Sequence, residues 1–176
     1  MKRRQPLPRI WLMTDERQGD ALFGALARLP RGAGVVFRHY SLQPDARRAL
    51  FDRVRQVARK RRLVLLLGGS ERLARAWRAD GAHGRDGQAA GLRSAAAHDL
   101  REIRSAERGG AQLLFVSPVF ATRSHPGARA LRPIGFARLA RQTQLPVVAL
   151  GGMSAARVRH LRGAYGWAAI DAWSTP

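Results

Sequence analysis

Apolar residues recur along this chain in short blocks that alternate between two periods. Ile10–Thr14, Gly34–Tyr40, Leu63–Leu67, Gly81–His83, Ser94–Ala97, Gln112–Val116, Pro146–Leu150 and Trp167–Ile170 read as strands. Most are near-continuous apolar runs, the pattern of strands buried on both faces of a parallel sheet. Between them lie stretches with three- or four-residue spacing. Asp20–Leu29 carries Leu22, Ala25 and Leu26 on one stripe, Pro44–Lys60 carries Ala46, Leu50, Val54 and Val57, and Asp99–Arg108 carries Leu100, Ile103 and Ala106. These predict amphipathic helices. Ser70–Trp77, Pro133–Gln142 and Ser154–Arg162 complete the set, opened by a Ser or a Pro and followed in two cases by glycine or a polar turn.

Eight strands interleaved with helices predict a (β/α)8 barrel over residues 1–176, an α/β fold with a parallel sheet. An open doubly wound sheet is the competing arrangement and needs only five or six strands. The barrel reads as trimmed. Gly84–Arg93 is rich in glycine and poor in apolar residues, so the fourth helix is expected to be absent or a single turn, and no eighth helix is expected. Trp11, Trp167 and Trp173 lie near that seam in sequence. They are expected either to bury it or to cover it in a homodimer.

Composition and charge narrow the function classes. Hydrophobic residues make up 45% of the 176, a globular composition. The absence of cysteine excludes disulfides, thiolate nucleophiles and Cys-ligated zinc. The longest aliphatic run, Leu63–Leu67, is far short of the ~20 residues of a membrane helix, and the apolar run after the basic N-terminus is too short for a signal peptide. These features predict a soluble, cytoplasmic protein. The net charge is +20, and 30 of the 32 basic residues are arginine. Alanine also numbers 30, and joint excess of the two is the signature of GC-rich coding. The other reading is a polyanion partner. The arginines are spread along the chain, aromatic residues are few and no recognition motif stands out, which argues against nucleic acid. A small phosphorylated ligand held by a few arginines remains the expected partner.

A barrel places its site at the C-terminal ends of its strands. After strand seven, Leu150-Gly151-Gly152-Met153 leads into a helix opened by Ser154. Glycines let a phosphate approach the backbone, and a helix start offers free N–H groups. Here Gly151 and Gly152 are candidate phosphate ligands, although a tight turn alone also demands glycine. After strand six, Thr122, Arg123, Ser124 and His125 place two hydroxyls, a guanidinium and an imidazole in one loop able to fold over an anion. Arg38 ends strand two and can meet the same anion. His98 opens the fifth helix and is the candidate acid–base group. His83 and Asp80 read as structural. No pair of histidines has metal-motif spacing.

These segments together resemble one family. Trp11-Leu12-Met13-Thr14-Asp15 is similar to its L-x-x-T-D, and Ala79-Asp80-Gly81-Ala82-His83 to its A-D-G-x-H. Val116–Thr122 is similar to its G-P-x-F-x-T, and Pro146–Met153 to its I-P-V-x-A-I-G-G-[IM], with the Glu102-to-Thr122 spacing also fitting. The family is thiamine phosphate synthase, with its relative the thiazole tautomerase TenI. The likeness is specific from Asp99 to Met153 and loose before Leu63.

The resemblance implies a (β/α)8 barrel and one of two reactions. The synthase joins an aminopyrimidine diphosphate to a thiazole phosphate carboxylate, releasing pyrophosphate in the presence of Mg2+. The tautomerase shifts a double bond in that thiazole phosphate without metal. The resemblance assigns Arg38, Thr122, Ser124, Gly151 and Gly152 to substrate and phosphate binding. It puts His98 at the tautomerase's proton-transfer position, where synthases often carry histidine too. Departures fall on the diphosphate half. Tyr40 stands where the family has lysine, Gly68-Gly69 where it has N-D, Gln88 at a metal-ligand position, and His125 where lysine is usual. Asp86 is the one nearby carboxylate left for a metal, so no tightly bound cofactor is expected, and Mg2+ only in company with a diphosphate substrate. The expected function is that of a thiamine phosphate synthase family enzyme coupling an aminopyrimidine diphosphate to a thiazole phosphate, with a degenerate diphosphate and metal site. The alternatives are a tautomerase and a non-catalytic regulator that binds a phosphate ester.

Overall fold

A computed structural model describes residues 6–84, 91–122 and 127–173. Eight parallel strands close into a barrel in chain order: β1 (Ile10–Met13), β2 (Gly34–Phe37), β3 (Val64–Gly68), β4 (Gly81–His83), β5 (Leu92–Ala97), β6 (Leu113–Val116), β7 (Val147–Ala149) and β8 (Gly166–Ala169). β8 pairs with β1 through Trp11 opposite Ala168, which completes the ring. The open-sheet alternative is thereby excluded. Six α-helices lie among the described residues: α1 (Ala21–Arg28), α2 (Pro44–Arg61), α3 (Glu71–Ala76), α4 (Leu100–Arg108), α5 (Arg132–Ala140) and α6 (Ala155–Val158).

Alternation along each strand divides the apolar residues between two cores. Trp11, Met13, Val36, Leu66, Leu92, Leu113, Phe115, Val148 and Ala168 fill the barrel interior. Their neighbours face outward, where α1 and α2 cover β1–β4 through Leu22, Leu26, Phe51 and Val54, and α4 and α5 cover the other half through Ile103 and Phe136. Trp11 is fully buried inside the barrel. Its indole N–H donates to the Pro8 carbonyl at 2.8 Å, and its ring meets Phe115 edge to face. A Cβ on Gly34 would lie within the Trp11 ring. Gly34→Ala therefore overpacks the interior and is expected to cost at least about 1–3 kcal/mol, read as a lower denaturation midpoint in urea.

Several boundaries differ from the sequence expectation. β5 begins at Leu92 rather than Ser94, and Arg93 within it is only 3% exposed. An arginine on the outer face of a strand is invisible to a hydrophobic pattern. The buried stripe of α2 runs through Phe51, Val54 and Ala58, with Ala46 exposed, and Arg47 continues it one turn earlier. Leu100, expected to face inward, is 41% exposed. The expected helix Ser154–Arg162 shrinks to the single turn α6, whose four residues include no buried one.

At the seam, Trp167 and Trp173 do what was expected of them and Trp11 does not. The fourth-helix segment, residues 85–90, lies outside the described residues. After β8 comes a 3-10 turn, Asp171–Trp173, not an α-helix. Trp173 stacks on Trp167 with ring centroids 5.1 Å apart, and its carbonyl accepts from Arg28 of α1 at 2.8 Å. The chain thus covers this seam itself, and Trp11 takes no part in it.

Two expected structural residues have defined work. Asp80 Oδ2 accepts from the Leu65 amide at 2.8 Å and ties β3 to the start of β4. His83 is sealed inside the barrel, with Nδ1 3.0 Å from Ser94 Oγ and its ring edge-on to Phe115. Burial pushes its pKa down to about 4, with the Arg38 charge adding in the same direction. The unfolded imidazole titrates near 6.5 and the folded one lower, so the unfolded state holds the extra proton between these values. Stability is full above the unfolded pKa and falls as pH drops from about 6.5 to about 4, by on the order of 3 kcal/mol for this residue. His39, whose pKa burial also lowers, adds in the same direction. Melting curves from pH 7 to 4 check this, with His83→Gln expected to flatten the dependence.

Candidate active site at the barrel mouth

The β1 and β2 ends are locked to one another. Thr14 Oγ1 accepts from the Arg38 amide at 2.9 Å and lies 3.0 Å from His39 Nδ1. His39 turns the chain at φ 38° and stacks on Phe37, which is why β2 stops at Phe37 rather than Tyr40. The Arg38 guanidinium donates Nε–H to the Thr14 carbonyl at 2.7 Å and an Nη2 proton to Asp15 Oδ2 at 2.9 Å. Burial lowers the Arg38 pKa against the pull of Asp15, yet a guanidinium stays charged in water. Partial burial works against the Asp15 charge, but hydrogen bonds from Arg17 and the fields of Arg17 and Arg38 outweigh it and hold the carboxyl below its usual range. Arg38 is thus a fixed cation at the mouth.

His98 follows β5. Glu102, in the first turn of α4, accepts from both His98 Nδ1 at 2.7 Å and the His98 amide at 2.8 Å. Asp99 caps the same helix by accepting from the Glu102 amide at 2.8 Å. A carboxylate only accepts, so Nδ1 carries the proton and Nε2 is left for a guest. The side chain is half-exposed.

The loops after β6 and β7 are built against each other. The Val119 amide donates to the Leu150 carbonyl at 2.9 Å and the Phe120 amide to the Gly151 carbonyl at 3.1 Å. Gly151 and Gly152 have φ 93° and 60°. A Cβ on Gly151 would lie 2.8 Å from Pro118 Cα and Cβ, and one on Gly152 2.8 Å from the Ala121 carbonyl oxygen. Glycine is required here by both conformation and space. Arg157 bonds the Gly152 carbonyl and lies over the Phe120 ring. The one-turn α6 offers little macrodipole, so an anion here would rest on loop amides and cations instead.

These ends enclose a cavity of about 240 Å³. Arg38, His98, Ser117, Thr122, Gly151 and Gly152 line it, with Met153, Ile170 and Asp171. Four of the sequence candidates, Arg38, His98, Thr122 and the Gly151–Gly152 pair, therefore meet in one space. Arg123, Ser124, His125 and Asp86 lie outside the described residues. Asp171, which lines the cavity, and Arg47, which bonds the Arg38 and Gly68 carbonyls beside it, were not among the sequence candidates. No local pattern marks either residue, because their roles arise from strand ends that only barrel closure brings together. Among the described residues no three histidine or carboxylate side chains converge as a metal site. Gly68 and Gly69 at the β3 end offer no side-chain oxygen. The described residues do not fit a resident Mg2+.

The fold and mouth define a (β/α)8-barrel protein that joins a glycine loop, a fixed arginine and an oriented histidine at the strand C-termini. The family model described as thiamine monophosphate synthase matches residues 11–173, and the chain belongs to that family. It is 30% identical to "Putative thiamine-phosphate synthase 2" of Aquifex aeolicus (strain VF5), over 94% of this chain and 97% of that one. It is 34% identical to the thiamine-phosphate synthase of Chloroflexus aurantiacus (strain ATCC 29366 / DSM 635 / J-10-fl), over 83% of this chain and 74% of the relative. The thiamine phosphate pyrophosphorylase structure from Pyrococcus furiosus superposes with a TM-score of 0.78 at 23% identity, covering 96% of this chain and 88% of that one, a likeness of fold. Among the described residues no helix is long and apolar enough to cross a membrane.

Proposed function

We propose that the mouth binds a thiazole phosphate of thiamine biosynthesis and that His98 moves a proton on its ring. The convergence of Arg38, His98, Thr122 and Gly151–Gly152 on one cavity carries this reading. The phosphate lies on the Gly151–Gly152 loop. The ring carboxylate pairs with the fixed Arg38 guanidinium. His98 Nε2 takes a proton from one ring carbon, the double bond shifts, and the same proton returns at another carbon. No electrons or groups are lost, and the product is an isomer of the substrate. Glu102 holds the imidazole in the tautomer that presents a basic Nε2 and stabilises the transient imidazolium.

The second reading is coupling of this thiazole phosphate to an aminopyrimidine diphosphate. The names of the Chloroflexus and Aquifex relatives favour it. The two part in one assay. Thiazole phosphate isomerisation is followed by proton exchange, and coupling by release of pyrophosphate, each with and without chelator. Isomerisation untouched by chelator, with coupling slow or absent, is the expected result. Fast chelator-sensitive coupling overturns the first reading. Neither activity, with anion binding retained, points to a phosphate-ester-binding regulator.

A further inference from the structure

The mouth is lopsided. Of its eight strand ends, the described lining of the cavity comes from those of β2, β5, β6, β7 and β8. The β3 end is covered by something else. Tyr40 lies across it, and a Cβ on Gly68 would collide with the Tyr40 hydroxyl and sit 3.0 Å from the Phe37 carbonyl oxygen. Underneath, Arg47 reaches up from α2 and donates an Nη2 proton to the Gly68 carbonyl at 2.7 Å, with Nε and Nη2 both to the Arg38 carbonyl. Its guanidinium lies 5.3 Å from the Tyr40 ring centroid and 5.4 Å from that of Trp77. Cation–π contact holds the tyrosine over the strand end. Tyr40 remains 60% exposed, while partial burial raises its pKa against the fields of Arg38 and Arg47.

Tyr40 thus occupies ground floored by Gly68 and within the fields of the Arg38 and Arg47 guanidinium groups. Arg38 and Arg47 spend Nε and Nη2 on carbonyls and on Asp15, and neither Nη1 has a partner among the described residues. A cation with a spare donor, Arg47, beside bare backbone and within the field of Arg38 suits a condensed phosphate. The protein fills that ground with its own side chain.

We propose that Tyr40 is a specificity-determining residue: it closes the β2–β3 side of the mouth, so that the protein takes one phosphorylated ring and acts on it alone. The proposal rests on the reading of the open cavity as a phosphomonoester site. The substrate class is a single heterocyclic phosphomonoester, and the reaction class is unimolecular.

Calorimetric titration with inorganic pyrophosphate tests it. Wild-type protein saturated with thiazole phosphate is expected to bind no pyrophosphate. Tyr40→Ala is expected to bind one equivalent beside the thiazole phosphate, at least about tenfold more tightly than the wild type, with thiazole phosphate affinity within about twofold. Tyr40→Phe keeps the ring and is expected to behave as the wild type, which separates occupancy from hydroxyl chemistry. Tyr40→Ser carries the same expectation as Tyr40→Ala and guards against a folding defect particular to one variant. Pyrophosphate binding to the saturated wild type, or no gain in Tyr40→Ala and Tyr40→Ser, overturns the proposal. Failure of thiazole phosphate to bind overturns the functional reading instead. The plug is then judged on unliganded proteins, where Tyr40→Ala must take up one more equivalent of pyrophosphate than the wild type, and equal stoichiometry and affinity overturn it.

Discussion

His98→Asn is expected to lower kcat for thiazole phosphate isomerisation by about 10²–10⁴-fold, the usual worth of a positioned acid–base group. KM should move only a few-fold, because the phosphate and carboxylate contacts belong to other residues. His98 is half-exposed and sits at a helix start, so the variant keeps its fold. Glu102→Gln is the finer probe. An amide can accept from Nδ1 or donate to it, so the imidazole is no longer committed to presenting a basic Nε2. A kcat loss of about tenfold or more with little change in KM is expected for a positioning residue. A purely structural Glu102, serving only as the helix cap partner, would shift the melting temperature and leave that split unaltered. Stopped assays of both variants at fixed pH, beside thermal melts, provide the comparison. Wild-type turnover in His98→Asn would remove this residue from the chemistry.

Gly152→Asp is expected to abolish phosphate binding, with inorganic phosphate or thiazole phosphate affinity falling by at least about 100-fold in calorimetry. Three effects act together. The φ of 60° is strained for any side chain, the Cβ presses on the Ala121 carbonyl oxygen, and the carboxylate repels the ligand. Gly152→Ala separates them, since it keeps strain and bulk without the charge. It should weaken binding by an intermediate amount and lower stability by about 1–2 kcal/mol. The collision is with the β6 loop, so Thr122 is displaced from the cavity at the same time. Unaltered affinity in Gly152→Asp would mean that this turn serves the fold alone.

Much of the fold was legible because each element has its own period. Apolar runs of four or five residues marked the strands, three-or-four spacing marked α1 and α4, and Ser70 and Ser154 marked helix starts that they do cap. What went unread were charged residues used as packing. Arg47 continues the buried stripe of α2, and Arg93 lies on the sealed outer face of β5. A stripe defined by apolar identity cannot include an arginine whose stem packs and whose head bonds carbonyls. The length of α6 was misread for the opposite reason. Ser154 and Gly163 bounded a helix to Arg162, but a single turn suffices to carry the chain from the glycine loop to β8.

The candidate site divides along the same line. Local chemistry pointed to Gly151–Gly152, to the hydroxyls and charges after β6, to Arg38 and to His98, since a glycine pair or an imidazole after a strand is visible without its neighbours. The covering of the seam by Trp173, the placing of Asp171 at the mouth and the seating of Tyr40 over Gly68 were decided by tertiary structure. Alternation tells which residues share a face of one strand, but the facing of strand ends across a barrel depends on closure and register. Gly68 and Tyr40 are 28 positions apart, and only the pairing of β2 with β3 makes one the floor and the other the lid. The amino-acid sequence by itself determined the eight-stranded barrel, the family and the glycine loop, because periodicity and bare backbone are local properties. Which half of the mouth stands open was left to the packing of side chains from distant strands, because volume is filled by whatever closure brings together.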